Sequence, residues 1–269
     1  MNAQKVVLIT GASSGLGRAM AEHLAALGHT VFGTSRKPSD DFSTVRMLAL
    51  DVTDDASVAQ AVAQVVQTAG RIDVLVNNAG IGLCGAVEDT TMAEARWQLE
   101  TNFFGPVRMI LAVLPYMRRQ GGGRIITVSS LAGMAALPFQ PYYSAGKFAL
   151  EGLNEALRLE LSGSGITSTT INPGDFKTGF TAARVFAKNA HAGRHAAQLR
   201  TTVGIYERDE NHGADPQAVA ELAARLIAQP RVGVRYLVGA PIQRFGMLLK
   251  RLLPATVFEW IMKDTYKIR

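Results

Sequence analysis

The sequence predicts an α/β fold: a doubly wound parallel sheet of seven strands with helices on both faces, plus a C-terminal helical extension. Three observations predict it. Short apolar runs rich in Val, Ile and Leu alternate with longer amphipathic stretches, as buried parallel strands and their crossover helices do. The first run, residues 5–9, leads into Thr10-Gly11-Ala12-Ser13-Ser14-Gly15-Leu16-Gly17 and then into a helical stretch over 18–27 that stops at Gly28. The chain has 269 residues, 48% of them hydrophobic, which is enough to enclose the core of one domain, 1–269, of this class.

The remaining elements follow in order. Residues 30–34 and 45–50 read as the second and third strands. A helix over 55–68 precedes a fourth strand, 72–76, which ends in Asn77-Asn78-Ala79-Gly80. A long helical stretch covers 92–118 with Asn102 inside it. Asparagine is poor there because its amide competes for backbone hydrogen bonds, so a bend or a bound water is expected. Gly121-Gly122-Gly123 turns the chain into the fifth strand, 124–129, with Ser130 at its end. The next helix, 142–161, opens on Tyr142-Tyr143-Ser144-Ala145-Gly146-Lys147, and the sixth strand, 167–171, precedes Pro173-Gly174. Residues 178–200 look helical but loosely patterned. Asp215 and Pro216 supply the N-cap and first residue of a helix to 228, and 236–238 is the seventh strand.

Composition narrows the function. A single cysteine, Cys84, permits no internal disulfide and suits a reducing compartment. A strand that starts by residue 5 leaves no room for a signal peptide, and there is no apolar run of membrane-spanning length. A cytoplasmic protein is expected. The net charge of +6 comes without a dense Lys/Arg block interleaved with aromatics, so nucleic acid is not an expected partner. His191 and His195 lie one helical turn apart with no third ligand nearby, and no metal is expected. Cys84 reads as a core residue, Trp97 as helix packing, and Asp73 and Glu88 as solvated loop charges.

The glycine stretch carries the first chemistry. Its glycines allow a sharp turn and a close approach to a pyrophosphate, and the helix behind it offers free N–H groups and a positive dipole end. Gly11, Ser13, Ser14, Gly15, Leu16 and Gly17 are the candidate phosphate cradle. Their G-x-x-x-G-x-G spacing differs from the common G-x-G-x-x-G dinucleotide fingerprint. At the end of the second strand, where an acidic residue would bond a ribose 2′-hydroxyl, stand Ser35-Arg36-Lys37. No carboxylate is there to repel a 2′-phosphate, and Arg36 and Lys37 attract one. A charge-assisted hydrogen bond contributes roughly 1.5–3 kcal/mol, about a 10- to 100-fold preference, so the expected cofactor is NADP(H). Asp51 and Val52 end the third strand. Asp51 either accepts from the adenine amine or caps the following helix. Asn78, Ala79 and Gly80 bridge strand ends beside the cofactor. Tyr143 and Lys147 share a helix face.

Together these residues resemble the short-chain dehydrogenase/reductase family over roughly residues 5–240. Thr10 to Gly17 is similar to its T-G-x-x-x-G-x-G motif, Asn77 to Gly80 to its N-N-A-G, and Ser130, Tyr143 and Lys147 to its S…Y-x-x-x-K. Asn102 matches its fourth catalytic position and Pro173-Gly174 its P-G motif. The resemblance implies a catalytic tetrad of Asn102, Ser130, Tyr143 and Lys147. Tyr143 would be the general acid in reduction and base in oxidation, and Ser130 would bond the substrate oxygen. Lys147 would lower the tyrosine pKa and bind the nicotinamide ribose, and Asn102 would hold a water that relays protons to Lys147. At about 5 Å and an effective dielectric of about 20, the lysine charge is worth roughly 3 kcal/mol, or about 2 pKa units. Pro173, Gly174 and Thr178 would face the nicotinamide, and residues 178–213 would cover the substrate. Tyr142 precedes Tyr143, but only Tyr143 has a lysine four residues on. The resemblance also implies a homodimer or homotetramer through the helices that contain Asn102 and Lys147.

The tail, 240–269, is similar to the steroid and retinol dehydrogenase branch. Its apolar residues fall on either side of Pro254, and 242–269 carries six basic and two acidic residues, +4 of the +6. Two short helices that close the substrate pocket or form a subunit interface are one reading. Peripheral contact with an anionic membrane through 242–269 is the other. Either points to a hydrophobic ketone, aldehyde or alcohol as the substrate. A 3-oxoacyl-thioester reductase and a non-catalytic NADP(H)-sensing protein are the alternative functions.

Overall fold

A computed structural model of the chain describes residues 4–38 and 41–268. Arg269, one of the tail's basic residues, lies outside the described residues. The main sheet consists of β1 (Val6–Ile9), β2 (Thr30–Ser35), β3 (Arg46–Ala49), β4 (Val74–Asn77), β6 (Gly123–Val128), β7 (Ile166–Pro173) and β9 (Arg235–Val238). Its order is β3-β2-β1-β4-β6-β7-β9, and every neighbouring pair is parallel. Two-residue strands β5 (Leu83–Cys84) and β8 (Val185–Phe186) pair beside it.

Strand periodicity divides the core into two layers. From β1, Val7 and Ile9 enter one layer with Met20 and Leu24 of α1 (Gly15–Ala26) and Val219 and Leu226 of α7 (Gln217–Ala228). Val6 and Leu8 enter the other, against α2 (Asp55–Ala69), α4 (Gly105–Arg119) and α5 (Pro141–Glu160). The expected seven-stranded sheet with helices on both faces is therefore present. The strand order reverses between β2 and β4, on either side of β1. Ligands of open α/β sheets bind at the carboxyl ends of the strands around such a point.

The long helical stretch has the break that Asn102 foretells. It runs as α3 (Met92–Leu99), a π-helical turn (Glu100–Phe104) and α4, with Gly105 N–H bonded to the Glu100 carbonyl. Residues 178–200 differ from expectation. The chain there makes turns and β8, and helix α6 (Ala196–Asn211) starts only near the end of that span. Tertiary contacts dictate this path. Arg184 is buried against Glu210, with Nη2 to Oε1 2.6 Å, and a side chain at Gly193 would collide with the Asp89 carboxylate. Asp73 is also not a solvated charge. It is 7% exposed, accepts from Val6 N–H at 2.8 Å and pairs with Arg71. The expected cap is shifted by one residue: Pro216, not Asp215, is the N-cap of α7, although Asp215 accepts from the Gln217 N–H at 2.8 Å.

Two helices follow β9: α8 (Pro241–Leu252) and α9 (Ala255–Thr265), separated at Pro254. Among the described residues, no helix is long and apolar enough to cross a membrane.

Candidate active site

The glycine turn is held by the strand beside it. The Thr10 hydroxyl accepts from the N–H groups of Asn78 and Ala79 at 2.9 and 3.0 Å. The Asn78 amide in turn donates to the carbonyls of Thr10 and Gly11, both at 3.0 Å. Gly17 is required by space: a Cβ there would lie 2.2 Å from the Gly11 oxygen. Gly11 is required by conformation, with φ at +65°. Ser14 stands at the N-cap of α1 without a side-chain cap hydrogen bond, and the first turn has no acidic residue. The turn and the helix start border a cavity of about 1440 Å³ along Gly11, Ser13, Ser14, Gly15 and Leu16. A helix opening uncapped onto a cavity is a fit for a phosphate.

The cavity passes along the strand ends. Arg36, Asp51, Val52, Asn78, Ala79 and Gly80 border one end, and Ser130, Tyr143, Lys147, Pro173, Gly174 and Thr178 the other. Gly17, Lys37 and Asn102 do not reach its wall. Lys37 is exposed, and its N–H donates to the Ser35 hydroxyl at 3.2 Å. The Asp51 alternatives are resolved in part: Asp54, not Asp51, caps α2, accepting from Ala56 N–H at 2.9 Å. Asp51 Oδ1 accepts from the Thr53 N–H and hydroxyl at 2.9 and 2.7 Å, and those bonds hold its pKa below the usual carboxylate value.

Ser130, Tyr143 and Lys147 meet at the floor. Ser130 starts a 3₁₀ turn (Leu131–Gly133) at the end of β6, and its Oγ accepts from Ala132 N–H at 3.0 Å. Lys147 lies one turn beyond Tyr143 on α5, its Nζ 5.6 Å from the centre of the tyrosine ring. That ammonium donates to the Val128 carbonyl at 2.8 Å. Burial governs both groups. It pushes the Tyr143 phenol up to about 12, against the opposing pull of the Ser130 hydroxyl. It pulls Lys147 down to about 8, with the Glu151 carboxylate acting the other way. Desolvation, and not the Lys147 charge, therefore governs the phenol in the protein alone. The phenol is neutral at physiological pH.

Three supporting residues were not singled out from sequence. Glu151, one further turn along α5, is 6% exposed, accepts from Asn172 Nδ2 at 2.7 Å and forms an ion pair with Arg235, whose Nε lies 3.2 Å away. Asn172 also donates to the Ser130 carbonyl at 3.1 Å, so one buried network joins Ser130 to the carboxylate beside Lys147. Gln98 accepts from Leu83 N–H at 2.8 Å and donates to the Ile81 carbonyl at 2.9 Å. Asn102 clasps the same residue, accepting from Ile81 N–H and donating to its carbonyl, each at 2.9 Å. Glu151 had a sequence signal, its i+4 spacing from Lys147. Gln98 and Asn172 had none.

The roof comes from the later part of the chain. Phe180 packs on Tyr143 with ring centres 5.9 Å apart. Phe245, Met247 and Leu249 of α8 and Phe258, Ile261 and Met262 of α9 border the same cavity. His191 and His195 have separate partners: His191 packs at a tilt on Phe186, ring centres 4.6 Å apart, and His195 Nε2 contacts Glu88 Oε1 at 2.8 Å. Cys84 is buried in a small apolar cluster, and burial pushes its thiol up to about 12. Trp97, 39% exposed, borders the cavity as well as α3's surface.

Comparison with known proteins identifies the family. The short chain dehydrogenase family model matches residues 5–189. The 3-ketodihydrosphingosine reductase of Bacteroides thetaiotaomicron is 42% identical over 266 residues, covering 98% of this chain and 99% of that protein. A short-chain dehydrogenase structure from Streptomyces avermitilis is 35% identical with a TM-score of 0.85, covering 98% of this chain and 99% of that one. A short chain dehydrogenase/reductase from Burkholderia phymatum, in complex with NAD, is 25% identical with a TM-score of 0.78 and covers 93% of each chain. The chain is an oxidoreductase of the short-chain dehydrogenase/reductase family.

Proposed function

We propose that the protein is an NADP(H)-dependent reductase of a hydrophobic ketone that carries a long alkyl chain. The observation that carries this reading is the convergence of Ser130, Tyr143 and Lys147 at the floor of a cavity roofed by the apolar faces of α8 and α9. The relative's name adds a chemical example, since 3-ketodihydrosphingosine is a long-chain ketone.

The reduced nicotinamide supplies the hydride. The chain's residues position the carbonyl and supply the proton. Ser130 Oγ donates a hydrogen bond to the carbonyl oxygen and so stabilises the negative charge that grows there. The Tyr143 phenol, protonated at neutral pH, donates its proton to the same oxygen. Lys147 holds a positive charge beside the resulting phenolate. Its bond to Val128 fixes where that charge sits. Asn102 sets the π-turn and fixes Ile81 at the cavity wall, the place from which a water relay to Lys147 would run.

For the cofactor, Arg36 is exposed at the cavity rim, and the residues at the end of β2, Ser35-Arg36-Lys37, include no carboxylate. Arg36→Asp is expected to reverse the preference for NADPH over NADH by about 10- to 100-fold in kcat/KM. Unchanged cofactor ratios would contradict the assignment. We further propose a cytoplasmic homodimer or homotetramer joined through α4 and α5, where Leu111 and Leu159 are 63% and 80% exposed.

A further inference from the structure

We infer that the outer faces of α8 and α9 dock the protein on an anionic lipid surface, with the mouth of the cavity beside that surface. Neither helix buries a residue completely. Their inner faces border the cavity, and their outer faces project Leu248, Leu252 and Trp260, which are 50, 68 and 68% exposed. In α8, Phe245, Leu248 and Leu252 recur at helical spacing and form one stripe. Arg244 and Arg251 are exposed along its border, and neither makes an ion pair among the described residues. The helix contains no acidic residue. An apolar stripe edged by free cations lies in the plane of a lipid interface, its side chains in the acyl boundary and its arginines among the headgroups. The exposed Trp260 suits the same depth.

Charge selects the occupant. A two-fold contact between copies would place this patch on itself and oppose Arg244 and Arg251 to their like charges. An anionic bilayer neutralises them instead. The helix pair is also fixed to the body in a defined orientation. Lys250 turns inward, its Nζ bonded to the Met134 carbonyl and 5.0 Å from the Phe148 ring centre. Thr202 donates to the Tyr266 carbonyl at 3.1 Å, and the Gln243 amide bonds Asp175. Phe245 belongs to both surfaces: it borders the cavity and is 51% exposed. A docked molecule therefore opens its cavity toward the lipid phase, and a long-chain ketone enters without crossing water. This last step rests on the proposed function; the docking does not.

Flotation tests it, using the full chain without substrate and vesicles of phosphatidylcholine alone or of phosphatidylcholine and phosphatidylglycerol in equal parts. The protein is expected to float with the mixed vesicles, with a blue-shifted Trp260 emission absent from Trp260→Phe. Arg244→Gln/Arg251→Gln should weaken binding roughly 5-fold per arginine, and Leu248→Ser/Leu252→Ser should abolish flotation. Circular dichroism and NADPH oxidation with a small soluble ketone establish that each variant is folded. Failure of the unaltered protein to float, or flotation that survives loss of both leucines, overturns the inference. So does a dimer that the leucine variants dissociate while no form floats, which would make this face a subunit interface. Flotation without turnover on any ketone upholds the docking and refutes the catalytic reading alone.

Discussion

Tyr143 and Lys147 are displaced in opposite directions by one cause, the loss of water around them. The phenol is held to about 12 and the ammonium to about 8. In the protein alone, burial therefore favours the protonated phenol, the form that the proposed reduction uses. A bound oxidised nicotinamide would add a positive charge that favours the phenolate form. Tyr143→Phe should lower kcat by about 10²–10⁴-fold while NADPH fluorescence titration shows binding retained. The pH profile belongs to Lys147. Its folded pKa is depressed, so its charge is lost as pH rises through about 8. Glu151 opposes that depression. Glu151→Gln should therefore move the alkaline limb of kcat/KM to lower pH, and a limb that stays in place would show Glu151 to be a packing residue only. Sequence could name Tyr143 and Lys147 because their relation is local, one helical turn. It could not show how Asn172 connects Glu151 to Ser130, because that path crosses from α5 to β7 and back to the end of β6.

At the scale of elements, the strands and helices that carry the site were legible because their signals are contiguous. The glycine turn lies between a buried strand and an amphipathic helix, and Asn77-Asn78-Ala79-Gly80 follows a strand directly. The π-turn was legible only as a misplaced asparagine. Its reason is the pair of bonds between Asn102 and Ile81, residues distant in sequence. Asn102→Ala leaves the Ile81 N–H without its partner, at about 1–3 kcal/mol, while Gln98 still donates to the carbonyl. A fall in Tm of roughly 2–12 °C in a thermal melt is expected, and an unchanged Tm would mean that water replaces the amide fully. The span 178–200 was not legible. Its Ala, Lys and His content suits a helix, but Arg184 must reach Glu210, and Gly193 must pass the Asp89 carboxylate. Gly17→Ala tests the cradle. The collision with Gly11 and Asn78 should abolish dinucleotide binding in an equilibrium titration.

For the whole molecule, the sheet brings residues from β1, β2, β4, β6 and β7 to one cavity, and the last helices close it with apolar side chains. Cofactor binding should therefore be read by the entire fold. A ligand at about 100 times its Kd stabilises by roughly 2.7 kcal/mol, so NADPH should raise Tm by about 5–10 °C. NADH at the same concentration should raise it less if Arg36 engages a 2′-phosphate. The proposed activity is reduction of a hydrophobic ketone in this cavity with Tyr143 as the acid. Its most direct measurement is NADPH oxidation against a graded series of ketones, from small and water-soluble to long-chain, for the unaltered protein and Tyr143→Phe in parallel. Turnover is expected to rise with chain length and to be lost in the variant. Turnover that is indifferent to chain length, or that persists without the phenol, would contradict it.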